Sequence, residues 1–480
     1  MRYLYPLLLL LIMLLSGVYH DNSVWIYGLL GLTLFSLLRK IGKGIALREM
    51  IAVHSCIIYL LMPLLGYQVY NSNNALSRLW WKFMPVDEVT YFNFVLPAIL
   101  AFLLGLFMPS ATGKHDPDDN ETLLPVFKKS QAFLKSNKPW VPMLILGLVG
   151  YFFKNINSIS ALTFFVNSFY LLLFSAILCI YFSPGLKRKA VYISIIVLLI
   201  LYEAIQTGMF TVVVYMGVVM GSIIFIGSRI AFWKKLAIMT LTVFFIITLQ
   251  TTKGTFRKKT WGKTYEGSKT ELFTDLMKEN FSNYNNIFDR NAFFPLYARM
   301  NQGYNTALVM RRIPTVQDFD DGHSIYLTVA SALLPRVIWE DKLEAGGVYN
   351  MKHFADMTIV GWSTNIGPVG EAYGNFGLWG GELFMFIFGL FIRVVYFKVL
   401  RLAHKLPLLI FWIPVLFFEL SYSMENDTLQ ALNSIIKVAI FTLVFYLIAP
   451  ALLGVYSKRK KNAGRFTIPE KRLNNGNVTG

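Results

Sequence analysis

Six arginines stand between Thr251 and Phe376: Arg257, Arg290, Arg299, Arg311, Arg312 and Arg336. A guanidinium fork matches phosphate oxygens bidentately and keeps its charge at any working pH. A group of them can hold a diphosphate and stabilise it as it departs, a task otherwise given to a metal ion gripped by carboxylates. The same stretch has no CxxC, no HxxxH and no DxD-type pair beside a strand, so no metal site is expected. Its one acidic cluster, Asp318, Asp320 and Asp321, could bind a cation but reads better as a solvated turn before Gly322. His323 opens an apolar helical run that Pro335 stops. At a helix N-terminus the dipole disfavours protonation, which would leave the imidazole free to accept a proton. A capping role is the competing reading. His353, in a polar stretch, reads as a surface residue.

Gly361–Gly381 carries seven glycines in 21 residues. That density allows positive φ and close approach of backbone to a ligand. If the segment is helical, Glu371 and Asn375 lie one turn apart on one face, with Ser363, Thr364 and Tyr373 beside them. Close helix packing in a membrane uses small residues too, and stands as the alternative. The arginines likewise have a plainer reading, as side chains reaching toward headgroup phosphates. Glu203 and Glu419 fall inside apolar runs, where a carboxylate calls for an interior partner.

The elements that must position these residues are helical and apolar. Of 480 residues 55% are hydrophobic and 15% charged, against about 25% charged in an ordinary soluble domain. Mean hydropathy is +0.51. Solid apolar blocks, rather than alternation, exclude a spanning β-barrel and point to an all-α polytopic membrane protein. Twelve spans are expected, at 3–19, 24–38, 48–67, 91–108, 140–156, 160–182, 189–205, 208–227, 235–250, 377–398, 407–423 and 431–454. The first follows only Arg2 and has no small-residue cleavage site after it, so it reads as an uncleaved span. Cys56 and Cys179 both fall within apolar runs, which argues against a structural disulfide.

The net charge of +18 is unevenly placed. The 126 residues from Thr251 to Phe376 hold 14 basic and 13 acidic side chains, leaving +1 there and +17 elsewhere. The excess sits in alternate short loops, at Arg39–Arg48, Lys114–Lys138, Lys187–Lys189, Arg229–Lys235 and Arg401–Lys405, and in the tail from Lys458. Under the positive-inside bias both termini are cytoplasmic and the long segment is external. No basic groove or nucleic-acid motif accompanies the charge, so nucleic acid is not an expected partner. The resulting division is 1–250 with nine helices and a cytoplasmic loop at 109–139, then 251–376 as a large external loop. After it come 377–456 with three helices, and 457–480 as a basic tail held near anionic lipid. Leu123–Leu134 is amphipathic and is expected on the inner membrane surface. Phe273, Met277, Phe281 and Tyr284, and then Leu296, Tyr304, Ala307 and Leu308, predict helices within the long loop.

The order of these features resembles the bacterial O-antigen polymerases, the Wzy-type oligosaccharide repeat-unit polymerases. The resemblance rests on Leu334-Pro335-Arg336, Trp339 and Lys342, then Ser363, then Gly370-Glu371-Ala372-Tyr373-Gly374-Asn375-Phe376-Gly377 leading into a span. It covers about 60 residues, Gly322 to Gly381, with the span pattern alone elsewhere. Arg311/Gly322 and Arg336/Gly347 also match a spacing of Arg, ten residues, Gly found in some of those polymerases. The resemblance implies a GT-C-like bundle in the bacterial inner membrane. It implies metal-independent, inverting glycosyl transfer without a cofactor at the periplasmic face. A chain on undecaprenyl diphosphate would be the donor, and the next lipid-linked repeat unit the acceptor. Arg290, Arg299, Arg311 and Arg312 would bind the diphosphates and Arg336 the leaving group. His323 or Glu371 would take the proton. Trp362, Ser363, Tyr373 and Asn375 would contact sugar. Membrane lipid is a partner, and a polysaccharide chain-length regulator could be another. An O-antigen ligase, a flippase for lipid-linked sugar and a membrane acyltransferase built on His323 and Asp321 stay open as alternatives.

Overall fold

The computed structural model describes residues 3–19, 21–110, 115–153, 160–207, 211–260, 265–282, 290–334, 336, 338–360 and 364–455. Among them every regular element is helical, apart from one isolated bridge between Gly44 and Asp119. The first half comprises α1 (Leu4–Ser16), α2 (Asn22–Lys40), α3 (Leu47–Gln68, with a π-helical turn at Ile57–Leu61), α4 (Glu88–Phe107) and α5 (Asn120–Ser136). It continues with α6 (Trp140–Phe153), α7 (Ser160–Phe182), α8 (Lys189–Thr207), α9 (Thr211–Ile224) and α10 (Phe232–Thr260). The second half holds α11 (Lys269–Ser282), α12 (Arg290–Met300), α13 (Gly303–Arg312), α14 (His323–Leu333) and α15 (Val348–Ala355). It ends with α16 (Gly367–Leu402), a 3-10 turn at Pro407–Trp412, α17 (Ile413–Ser421) and α18 (Thr428–Ile448). A helix stands at each of the twelve expected positions. Seven helices among the described residues are long and apolar enough to cross a membrane.

The core is centred on α4. Tyr91, Phe94, Val95, Ala98, Ile99, Phe102 and Leu106 are all fully buried, and α16 lies along it, the two backbones meeting at a pair of glycines. A Cβ on Gly105 would sit 2.1 Å from the Phe386 carbonyl oxygen, and one on Gly389 would sit 2.1 Å from that of Phe102. The two glycines therefore face each other's helix reciprocally, the small-residue contact that brings helix axes closest. Gly389→Val is expected to lower the thermal unfolding midpoint of the purified protein sharply, since overpacking costs roughly 1–3 kcal/mol and more where backbone must move. Gly217→Val, at a position with nothing within 4 Å, is the matched control and is expected to leave the midpoint unchanged.

The expected span beginning at residue 377 is preceded by a helical segment that the apolar pattern did not mark. Helix α16 starts ten residues earlier, and at Gly377 its backbone takes φ 64° and ψ −147°. The chain doubles back there: a Cβ on Gly381 would approach the Ala372 carbonyl oxygen to 3.1 Å. A straight helix would separate those positions by about 13 Å. Gly367–Phe376 is thus a half-helix folded against the start of the long one, and only glycine tolerates that φ cheaply.

The amphipathic segment also lies differently from expectation. Helix α5 buries Leu123, Val126, Phe127, Phe133 and Leu134. Phe127 meets Phe182 at 5.1 Å and Phe411 at 5.9 Å, and Ser130 Oγ donates to Pro407 O at 2.8 Å. Its apolar face is covered by α7 and the 3-10 turn, so that face docks on protein rather than lipid.

Candidate functional site

The segment 290–376 is tied to one end of the bundle by buried hydrogen bonds. Gln302 Nε2 and Asn305 Nδ2 both donate to Asn365 O, at 2.6 and 2.7 Å, and Asn305 Nδ2 also reaches Thr364 Oγ1 at 3.0 Å. Beneath them Tyr91 Oη donates to Tyr59 O at 2.9 Å, and Tyr59 Oη donates to Met424 O at 2.8 Å. Buried polar groups persist only when partnered. The first three bonds fix α13 to the start of α16, the last two join α3 to α4 and to the turn between α17 and α18, and the two sets meet where Gly303 packs on Tyr91 and Gly367 on Tyr59.

That turn presents Glu425, on which three side chains converge. His54 Nε2 lies 2.9 Å from Glu425 Oε1, Tyr215 Oη donates to the same oxygen at 2.9 Å, and Tyr215 Oη lies 2.9 Å from His54 Nε2. Arg299, on α12, donates from Nη2 to Glu425 Oε2 at 3.1 Å. Burial pushes the Glu425 carboxyl up, but His54, Arg299 and Tyr215 outweigh it and hold the group well below the usual carboxylate range. The Arg299 side chain is 58% exposed. One nitrogen of its fork is held by a carboxylate while most of the side chain faces outward.

A second network holds the half-helix in place. Glu371 is 1% exposed. Its Oε1 accepts from Asn350 Nδ2 and from Thr428 N, both at 3.0 Å, while Oε2 is buried with no hydrogen-bond partner. Asp427 Oδ2 accepts from Gly346 N and Gly347 N at 3.0 and 2.9 Å, and its Oδ1 caps α18 through Gln430 N. Asn375 donates to Glu371 O at 2.8 Å and accepts from Ser324 Oγ at 2.9 Å. Asp320 accepts from Ser324 N at 2.7 Å and from His353 Nε2 at 3.1 Å. Its own N–H donates to Gly374 O at 3.0 Å. The turn reading of the acidic cluster fits this placement of Asp320. His353, expected at the surface, is instead part-buried, paired with Asp320 and stacked on Tyr349 at 5.3 Å.

The sequence-derived candidates separate into groups. Glu371, Tyr373 and Asn375 come together but are buried. Tyr373 packs edge-on against Phe94 at 5.0 Å and Phe319 at 5.8 Å. As placed, these three pin the half-helix rather than line an open surface. His323 is exposed at the start of α14 and Arg311 is exposed at the end of α13. Arg312 pairs with Asp356 at 3.2 Å, and Arg336 pairs with exposed Glu344 at 2.9 Å. Arg290 opens α12, but its side chain, like that of Arg257, lies outside the described residues, as do Trp362 and Ser363. Among the candidates with described side chains, Arg299 alone joins the Glu425 cluster.

His54, Tyr215 and Glu425 were not among the residues singled out from sequence. Their one signal was polar character in or beside apolar runs. The contact between His54 and Glu425 spans 371 positions, a separation that no local pattern encodes.

Residues 127–404 match a family model described as a domain of unknown function, DUF8712. No curated protein and no solved structure matches the chain. The match covers more than half of the sequence, and the chain belongs to that family.

Proposed function

We propose that this DUF8712 member is a glycosyltransferase that joins undecaprenyl-diphosphate-linked oligosaccharide repeat units, as O-antigen polymerases do. In this reading the chain crosses the inner membrane twelve times, keeps both termini in the cytoplasm and works at the periplasmic face. The observation that carries it is the cluster on Glu425. An exposed arginine is aimed and half-neutralised by a carboxylate, at the end of the bundle where charge bias puts the external segment. Arg299 supplies one diphosphate contact. Arg311, Arg312 and Arg336, all on the same segment, supply others.

In the reaction an acceptor sugar hydroxyl attacks the anomeric carbon of the donor. The bond to the diphosphate oxygen breaks, and the electron pair leaves on the diphosphate. Fixed cations reward the charge as it develops. The acceptor proton goes to a base within hydrogen-bond reach. Of the two bases proposed from sequence, His323 is open to solvent. Glu371 would need the half-helix to shift before either oxygen met a substrate.

Purified full-length protein incubated with lipid-linked repeat unit is expected to extend it into a ladder. Transfer of a single unit only to another lipid acceptor would favour the ligase, and folded protein without turnover would favour transport. Arg336→Ala, inserted normally, is expected to abolish polymer in cells that depend on the protein. Normal chain length in that strain would remove Arg336 from the mechanism.

A further inference from the structure

A second polar site lies at the other end of the bundle. Helix α4 spans the distance: a Cβ on Gly303 would strike Tyr91 Oη near one end of α4, while Phe107 at the other end lines a cavity of about 550 Å³. Sixteen residues separate those positions, about 24 Å along a helix. Tyr5, Lys40, Arg48, Glu49, Asp116 and Asp119 line the cavity, with exposed Lys43 at its rim.

The charges inside do not balance. Lys40 Nζ is bonded to Asp118 at 2.9 Å and Asp119 at 2.7 Å. Arg48 is bonded to Asp118 through Nε at 3.0 Å and Nη2 at 3.0 Å, and to Asp116 through Nη2 at 3.2 Å. Both cations make their ion pairs with the three aspartates, and Glu49 is a further acid with no ion pair to either. Glu49 is 4% exposed, and its Oε2 has no hydrogen-bond partner. Tyr5 Oη, on α1, is also without one. A buried carboxyl oxygen beside a cavity with no hydrogen-bond donor on it is costly.

We infer that this cavity binds a primary ammonium carried next to a phosphoester, of the ethanolamine-phosphate type. An ammonium offers three donors and one charge. Glu49 takes the charge-assisted bond and Tyr5 Oη takes a second. A calcium-like ion would require six or more oxygens, more than these two residues spare. The volume lies in the range of small-ligand sites, roughly 300–1,000 Å³, and Lys43 at the rim meets the phosphate. The group can come from a phospholipid headgroup of the adjoining leaflet or from a soluble phosphoamine.

Thermal unfolding of the delipidated full-length protein in detergent, titrated with phosphoethanolamine or phosphocholine, tests this together with nanodiscs of ethanolamine or choline phospholipid. Phosphoethanolamine, or the ethanolamine lipid, is expected to raise the midpoint saturably, and the choline counterpart, which has no N–H donor, is not. A response to the soluble compound assigns a soluble ligand, and a response confined to nanodiscs assigns a lipid headgroup. Glu49→Gln is expected to weaken the response about tenfold, the worth of a hydrogen bond to a charged group. Equal responses to ethanolamine and choline, no response to either, or an undiminished response in Glu49→Gln overturns the inference. Should Glu49→Gln not fold, Tyr5→Phe stands in for it. A response about threefold weaker is expected there from the loss of one bond, and an unchanged one overturns the inference.

Discussion

Arg299→Ala is expected to cut polymer synthesis at least about a hundredfold, the usual loss when one fixed donor to developing charge is removed. Membrane insertion should be unaffected, because the side chain is mostly exposed and its one ion pair is at the surface of the turn. Arg299 is the exposed partner, and Glu425, 18% exposed, keeps His54 and Tyr215, so the loss of stability is expected to stay at about 1 kcal/mol. Arg299→Lys keeps the charge but loses the planar fork that Glu425 aligns, and is expected to recover only a minor part of the activity. Glu425→Gln keeps the shape while removing the charge that aims Arg299. It is expected to raise the donor concentration needed for half-maximal rate more than it lowers the maximal rate. Ladder length in a deletion strain complemented with each variant reads all three. Normal ladders from Arg299→Ala would place the diphosphate elsewhere.

Arg48→Met is expected to be the most destabilising substitution outside the glycine contact. It would leave Asp118, which is fully buried, with Lys40 as its sole remaining cation. Removing one partner of a buried pair costs about 3–5 kcal/mol, because the other charge stays behind. The expected result is a large fall in the yield of folded protein and in its unfolding midpoint, with partial recovery in Arg48→Lys. The sign with pH follows from Asp118. Burial pushes its carboxyl up, but Arg48 and Lys40 outweigh that and hold it below the ordinary aspartate value. A group depressed in the folded state stabilises at full strength above its unfolded pKa, about 3.9. It loses that contribution only as pH falls through its folded value. Wild-type protein should therefore keep its midpoint from neutrality down to about pH 5 and lose it below about pH 4. A wild-type midpoint that already declines above pH 5 would contradict this assignment.

The apolar blocks announced nearly all of the helices. Gly322-His323-Ser324 and Pro335 bracket α14 (His323–Leu333) almost as the capping and stop signals predict. In the 251–376 segment Phe273, Met277 and Phe281 lie on one helix as expected, Leu296 is on α12 but Tyr304, Ala307 and Leu308 are on α13 after a break, and Tyr284 lies outside the described residues. What stayed illegible was tertiary. Lys40 and Arg48 read as positive-inside markers, yet three aspartates from the 109–119 loop draw them into the protein and bury them. Gly377 read as the mouth of a span. The positive φ that reverses the chain there depends on Ala372 packing back on Gly381, which periodicity does not show. Glu419 read as an intramembrane carboxylate in want of a partner, and it has two, Tyr422 Oη at 2.7 Å and Gln430 Nε2 at 3.0 Å. The Glu425 cluster draws on α3, α9, α12 and the α17–α18 turn, none adjacent in sequence.

Helices α4 and α16 touch backbone to backbone, so neither can slide or tilt without the other, and the pair will travel as one rigid spine. Under the proposed function, any widening that admits a sugar chain would come from helices with looser attachments. Helices α8, α10 and α18 present most of their surface outward, and α8 and α10 are expected to be the ones that move. Crosslinks across α4 and α16 should leave turnover intact, whereas staples between α8 and α10 should arrest it.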